Sequence, residues 1–286
     1  MFVTERQSAA TFRPRYGSAN IGTWIGFKQF MSIAEEAVLE WFRDRGRGPQ
    51  RLYEAYGLAL SVWDSSVVLP SVLTVDDTVH AEVEARGAGE FRVRMSAPHK
   101  SGPELVLKGR LRVCLVDETG TGQAPPADVA AVVDVVPHRE PLAGVADDGA
   151  FRHDWIARYF HCQFSSRVQH SAYVGALEEL VDRYLASVGL AIPDVLEARG
   201  WIPVVSRVRV TLGGQARMGD MIESRFAVTD IWKDKAYAAR MTSRVGDTLV
   251  AEASIAHGYA ISHGPSTGRL ATLDQALIDR LTGAAR

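Results

Sequence analysis

The chain has 286 residues, 47% of them hydrophobic and 23% charged, and Lys+Arg 32 against Asp+Glu 34 gives a formal net charge of −2. This is globular composition with apolar material for about two cores, and it lacks the basic excess of a general nucleic-acid binder. Two cysteines, Cys114 and Cys162, exclude a disulfide framework and a cysteine-built zinc site. No apolar run nears the ~20 residues of a membrane span, and the N-terminus lacks a basic-then-apolar leader, so a cytoplasmic location is expected.

From the N-terminus, the pattern predicts a short strand over Ala10–Tyr16 and then a loop. Phe27, Phe30, Met31, Ala34, Val38 and Trp41 follow at helical spacing, making one apolar stripe on a helix of nearly five turns that ends near Gly46. A helical turn over Pro49–Tyr56 comes next. Val79, Ala81 and Val83 alternate with His80, Glu82 and Glu84 as in a half-buried strand, and further strands read as Glu90–Ala97 and Leu105–Val116. Asp117–His153, rich in Gly, Ala, Pro and Asp, reads as a crossover linker with an extended piece at Val129–Val136.

The same order then recurs. A strand over Ile156–Phe164 precedes a helix striped by His170, Tyr173, Val174, Leu177, Val181 and Tyr184, ending near Gly189. A turn over Pro193–Arg199 leads to alternating Val208, Val210 and Leu212, then strands over Ile222–Trp232, Ala236–Ser243 and Leu249–Ile261. A last helix is predicted over Thr267–Arg286, with Thr272 or Asp274 as its cap.

The recurrence is a duplication. An offset of 143 residues carries Arg15-Tyr16 onto Arg158-Tyr159, Glu35-Glu36 onto Glu178-Glu179, Gly46 onto Gly189, Gly57 onto Gly200 and Asp77 onto Asp220. Beyond Asp77 the register slips by a few residues, as a hairpin loop of different length would make it. The expected architecture is α+β: tandem modules over 1–116 and 153–264, a linker over 117–152 and a C-terminal helix over 265–286, each module wrapping about five antiparallel strands around a long helix.

A strand, loop, long helix and antiparallel strands in about a hundred residues resemble the hotdog fold. The stretches Ser18-Ala-Asn-Ile-Gly-Thr-Trp-Ile-Gly-Phe-Lys-Gln-Phe30 and His161-Cys-Gln-Phe-Ser-Ser-Arg-Val-Gln-His-Ser-Ala-Tyr173 are similar to the helix-entrance motif of acyl-CoA thioesterases of the 4-hydroxybenzoyl-CoA thioesterase type, Asp-x-Asp-x-x-Gly-(His or Ile)-Val-x-x-x-x-Tyr. The motif's second Asp, the usual carboxylate, falls here on Asn20 and Gln163, which cannot act as bases at neutral pH. Enediyne-type thioesterases, which carry Asn there, resemble the Asn20 version. A second hotdog lineage places its acid inside the helix, in His-Gly-Gly-x-x-Ala-Ala-Leu-x-Glu. His170-Ser-Ala-Tyr-Val-Gly-Ala-Leu-Glu-Glu179 is similar to it, while the first half offers Phe27 and Glu36 at those positions.

The resemblance implies thioester chemistry on acyl-CoA or an acyl carrier protein. In such enzymes the helix N-terminal amides polarise the carbonyl, here those around Trp24–Phe27 and Arg167–His170. Glu179 is the candidate base or water-orienter, the alternative being a solvated pair with Arg183. Glu36 has the same ambiguity. His170 could polarise the carbonyl or simply start its helix. Gln163 and Asn20 could orient water or cap their loops. Tyr173, Phe27, Trp24, Trp63, Trp201 and Arg167 are candidate substrate walls, with core packing as the alternative. Arg43, Arg45, Arg47 and Arg51 could meet a phosphate or complement a helix C-terminus.

No cofactor, metal, nucleic acid or membrane is expected. The leading expectation is an acyl-thioester hydrolase built as a pseudo-dimer in one chain, alone or in a homo-oligomer. Dehydration, decarboxylation or acyl transfer on a carrier-bound intermediate, and non-catalytic acyl binding, are the alternatives.

Overall fold

The computed structural model describes residues 6–99, 102–135, 142 and 149–283. In the first half β1 (Gln7–Phe12) is followed by α1 (Phe27–Arg43), α2 (Pro49–Tyr56), β2 (Leu58–Val68), β3 (Val79–Gly87), β4 (Glu90–His99) and β5 (Gly102–Asp117). The connector carries the short helix α3 (Ala127–Ala130). The second half repeats the order as β6 (Phe151–Ile156), α4 (His170–Ser187), α5 (Ile192–Arg199), β7 (Trp201–Leu212), β8 (Met221–Trp232), β9 (Ala236–Val245) and β10 (Thr248–Ile261), and α6 (Gln275–Thr282) follows.

Both stripes are buried helix faces. α1 buries Phe30, Met31, Ala34, Val38 and Trp41, and α4 buries Tyr173, Val174, Leu177, Val181 and Tyr184. Trp41, Phe42 and Phe91 pack with centroids 5.1–5.5 Å apart in the first core, and Tyr184 lies 5.0 Å from Phe226 in the second. Each such side chain contributes about 2–3 kcal/mol by leaving water. The helices stop where the sequence has glycine: Gly46 at φ +66° and Gly189 at φ +73° let Arg47 N–H and Leu190 N–H return to Phe42 O and Leu185 O.

The ten strands form one antiparallel sheet in the order β1-β3-β4-β5-β2-β7-β10-β9-β8-β6, so the halves join through β2 and β7. This pairing runs from Asp64 opposite Thr211 to Val68 opposite Arg207, and its centre is Ser66 opposite Arg209, two positions that the repeat offset superimposes. The join is therefore a pseudo-twofold axis. Asp64, fully buried there, accepts from Thr211 Oγ1 at 2.6 Å and Arg209 Nε at 3.2 Å, with Arg110 at 3.5 Å.

Some boundaries differ from the pattern. β1 ends before Arg13, and β6 shares only Ile156 with the expected strand Ile156–Phe164, lying N-terminal to it; Tyr16–Ser18 and Tyr159–His161 are 3-10 turns, because the entrance loop must fold back to start its helix. The last helix is shorter than Thr267–Arg286. Ala271 N–H donates to Tyr259 O and Leu270 bridges Ala260, so this stretch extends along β10 first, and Asp274 then caps α6 through Leu277 N–H at 2.9 Å. Of Val129–Val136, the first two residues are helical, Val132 O and Asp134 O accept from Gly89 and Leu115, and Val136 lies outside the described residues.

Candidate active site

The two long helices cross so that the first turn of each meets the middle of the other. At one crossing Lys28 Nζ lies 2.7 Å from Glu178 of α4. At the other, Glu35 of α1 lines one cavity with His170 and Ser171, the first residues of α4. The offset superimposes Glu35 on Glu178 and Ser171 on Lys28. These are two copies of one arrangement, and they have diverged: a lysine neutralises the carboxylate in the first, and a serine stands in its place in the second.

Glu35 is the chemically distinctive group. Its carboxyl is pushed up to about 7, first by burial and then by the neighbouring charge of Glu36. It lies in the wall between two cavities. One, of about 430 Å³, is lined by Arg15, Ser18, Lys28, Gln29, Ser32 and Ser171 among others. The second, of about 330 Å³, is lined mainly by Val38, Leu39, Leu60, Val62, Val113 and Phe164. Phe164 holds φ +61°, a costly conformation for a bulky residue, at the rim of this second cavity, with its ring 5.2 Å from Tyr53.

His170 is buried, and its Nε2 lies 2.8 Å from Ser65 Oγ on β2, across the module boundary. Burial pushes the imidazole down to about 4, so it is neutral at pH 7. Behind it, Arg167 clamps the modules: it is buried, donates to Ser61 Oγ at 2.8 Å, and pairs with Glu118. The N–H groups of Arg167, Val168 and Gln169 are already bonded to Ser165 Oγ, Ala216 O and His161 O. Among the described residues, the donors at this helix start free of an acceptor are thus those of His170 and Ser171, at the end of the expected Arg167–His170 and one residue beyond it.

The structure separates most of the remaining candidates from this cleft. Glu179 is half-exposed, pairs with Arg183 at 2.8 Å and lies 3.4 Å from His153. Glu36 likewise turns outward to Arg43 at 3.0 Å. Both are corrected by one residue: a step along a helix turns the side chain by about 100°, and the carboxylates facing the other module are Glu178 and Glu35. Gln163 is exposed at the rim of the second cavity, and Asn20 lies against Gly26, where an added Cβ would stand 2.5 Å from Asn20 Nδ2. Tyr173 is core, packed on Trp155, with its hydroxyl pushed far up by burial. Phe27 is core as well. Trp24 bridges Thr74, Trp63 lies under Arg112, and Trp201 stacks on Arg199. Neither cavity is lined by these five, because strand and helix packing claims their rings. Arg43 and Arg47 pair with acids, and Arg45 lies 3.8 Å over Trp41, which uses the basic run to close the end of α1.

Glu35, Ser171, Ser65 and Ser61 were not singled out from the sequence. A signal for Glu35 existed, since Met31 and Val38 at i−4 and i+3 set this acid inside the apolar stripe. Burial pushes the Cys162 thiol up, and it donates to the backbone oxygens of Arg158 and Ser166. Among the described residues no group of three metal-ligating side chains occurs, and no helix is long and apolar enough to cross a membrane.

No protein-family profile and no curated protein matches the chain. Solved structures do match along nearly its whole length. A Lactobacillus plantarum protein provisionally described as an oleoyl thioesterase superposes with a TM-score of 0.65 at 13% identity, covering 88% of this chain and 95% of that one. The 12:0-ACP thioesterase of Umbellularia californica gives 0.64 at 14%, covering 88% and 94%. An acyl-ACP thioesterase of Bacteroides thetaiotaomicron gives 0.60 at 12%, covering 89% and 100%. At these identities the likeness establishes the fold, a tandem double hotdog.

Proposed function

We propose that the chain hydrolyses acyl thioesters, with Glu35 as general base. The observation that carries this reading is a carboxyl poised at about 7 in a cleft, beside the unpaired amides at the N-terminus of α4. A base is most effective when its pKa lies near the working pH, and such a group typically contributes ~10²–10⁴ in rate. The whole-chain likeness to acyl-ACP thioesterases supports the same substrate class, acyl-CoA or an acyl carrier protein.

In this mechanism ionised Glu35 takes a proton from water as its oxygen attacks the thioester carbonyl carbon. The oxygen that gains charge is met by the N–H groups of His170 and Ser171 and the positive end of the helix. Collapse of the tetrahedral species breaks the carbon–sulfur bond, and the proton held by Glu35 passes to the departing thiolate. His170, neutral and held by Ser65, shapes the wall and keeps charge away from this helix end. The pseudo-equivalent carboxylate, Glu178, is neutralised by Lys28, which leaves Glu35 as the base of this reading.

Incubation with acyl-CoA and acyl-carrier thioesters in the presence of a thiol-reactive dye tests the proposal. Catalytic thiol release is expected. A change in acyl mass without release would replace hydrolysis by dehydration, decarboxylation or transfer, and binding without turnover would make the chain an acyl-binding protein.

A further inference from the structure

The two cavities that meet at Glu35 differ in chemistry. The first is walled mostly by polar groups, the hydroxyls of Ser18, Ser32 and Ser171, the amide of Gln29 and the cation of Arg15, with Met31 and Val174 among them. The second is walled mostly by apolar side chains of α1, β2 and β5, with Arg43, Ser61 and Gln163 among them. A thioester has the same asymmetry about its carbonyl, with an apolar acyl group on one side and an amide-rich, phosphate-ended thiol arm on the other. We propose that the acyl group occupies the aliphatic cavity, that the thiol arm lies along the polar one toward Arg15, and that Val113 sets how large an acyl group is accepted. This rests on the thioesterase reading above.

The duplication supplies the argument for Val113. Across β2 and β5, Val62 faces Val113. Its counterpart Val205 faces His257 across β7 and β10. There the imidazole is buried with Tyr237 at 4.9 Å and Tyr259 at 6.2 Å, ring centroid to centroid, and both phenols are fully buried. One copy thus fills with aromatic rings the position where the other keeps two small aliphatic groups beside an open cavity. Val113 itself is buried, and its N–H is fixed to Gly89 O at 2.9 Å, so the wall is rigid at this point. Arg15 has no ion-pair partner among the described residues, which leaves its charge available at the rim of the polar side.

Rates on straight-chain thioesters from butyryl to palmitoyl test this in the full chain. Val113→Phe should lower kcat/KM on the longest accepted acyl groups by about 10–200-fold, the range that one or a few excluded methylenes command, and leave the shortest unaffected. Val113→Ala should move the optimum toward longer or branched groups, so the inference stays testable if the phenylalanine variant fails to fold. Arg15→Ala should raise KM for acyl-CoA but not for the same acyl group on the short thiol N-acetylcysteamine, without altering the chain-length profile. A wild type that hydrolyses none of these thioesters defeats the thioesterase reading itself. A wild type that is active while both Val113 variants keep its chain-length profile overturns the present inference alone.

Discussion

Replacing Glu35 by glutamine keeps the shape of the side chain and removes its titration. If Glu35 is the base, kcat/KM should fall by ~10²–10⁴. The pH profile should change with it. In the wild type the rate should rise with pH up to about 7, where Glu35 ionises, and then level off. The glutamine variant should lose that limb. Stability moves the other way. The folded carboxyl titrates at about 7 against 4.5 for the ordinary group, so the folded state binds the proton more tightly. Its favourable effect is complete below the unfolded value and is lost as pH rises through the folded one. At pH 8 the ionised side chain therefore burdens the fold by up to about 3 kcal/mol, at ~1.36 kcal/mol for each pH unit. The side chain is partly exposed, and water reduces this to about 1–2 kcal/mol. Glu35→Gln should thus be more stable than wild type in denaturant at pH 8 and equal to it near pH 4. Thiol-release assays across pH and paired unfolding curves measure both effects. A variant with wild-type activity and an intact acid limb, or one no more stable at pH 8, would refute the reasoning.

Three further outcomes follow. Glu179→Gln should leave kcat/KM unchanged, because its carboxylate is spent on Arg183 outside the cleft; a tenfold loss would return the catalytic role to it. Asp64→Ala should cost about 1–3 kcal/mol in a denaturation curve, since it removes the buried acceptor of Thr211 Oγ1 and Arg209 at the join between the modules, while Arg209 stays in contact with water and Arg110 keeps Glu90; a cost under about 0.5 kcal/mol would show the pairing to be dispensable. His257 is pushed down to about 3 by burial, so between the ordinary 6.5 and 3 only the unfolded chain takes up its proton. It should therefore withdraw about 2 kcal/mol of stability as pH falls from 7 to 5, and His257→Phe should flatten that decline in unfolding curves; an unchanged acid slope would show that His257 is not its source.

The fold was legible because the duplication is. Glycines and aromatics kept in step at a fixed offset gave two modules, and the stripes from Phe27 to Trp41 and from His170 to Tyr184 gave their helices, ends included. The ends of β1 and β6 were not legible, since what stops them is the return of the loop to start a helix rather than any breaker of their own. Within the cleft, the pattern located the start of α4 and His170 but favoured the outward-facing member of each Glu-Glu pair. Motif spacing favoured Glu179 and Glu36; only the packing of α1 against α4 tells which carboxylate of each pair looks inward. The role of Ser65 in holding His170 depends on a contact between residues 105 positions apart in the chain, which no local pattern contains.

The unbroken ladder across β2 and β7 also limits how a ligand can arrive. Ten strands bonded edge to edge leave no hinge between the modules, so the chain cannot gape to admit a long molecule and shut behind it. Whatever enters the cavities therefore meets a β-scaffold that stands still, and adjustment is left to side chains at the rims, such as Phe164 beside Tyr53.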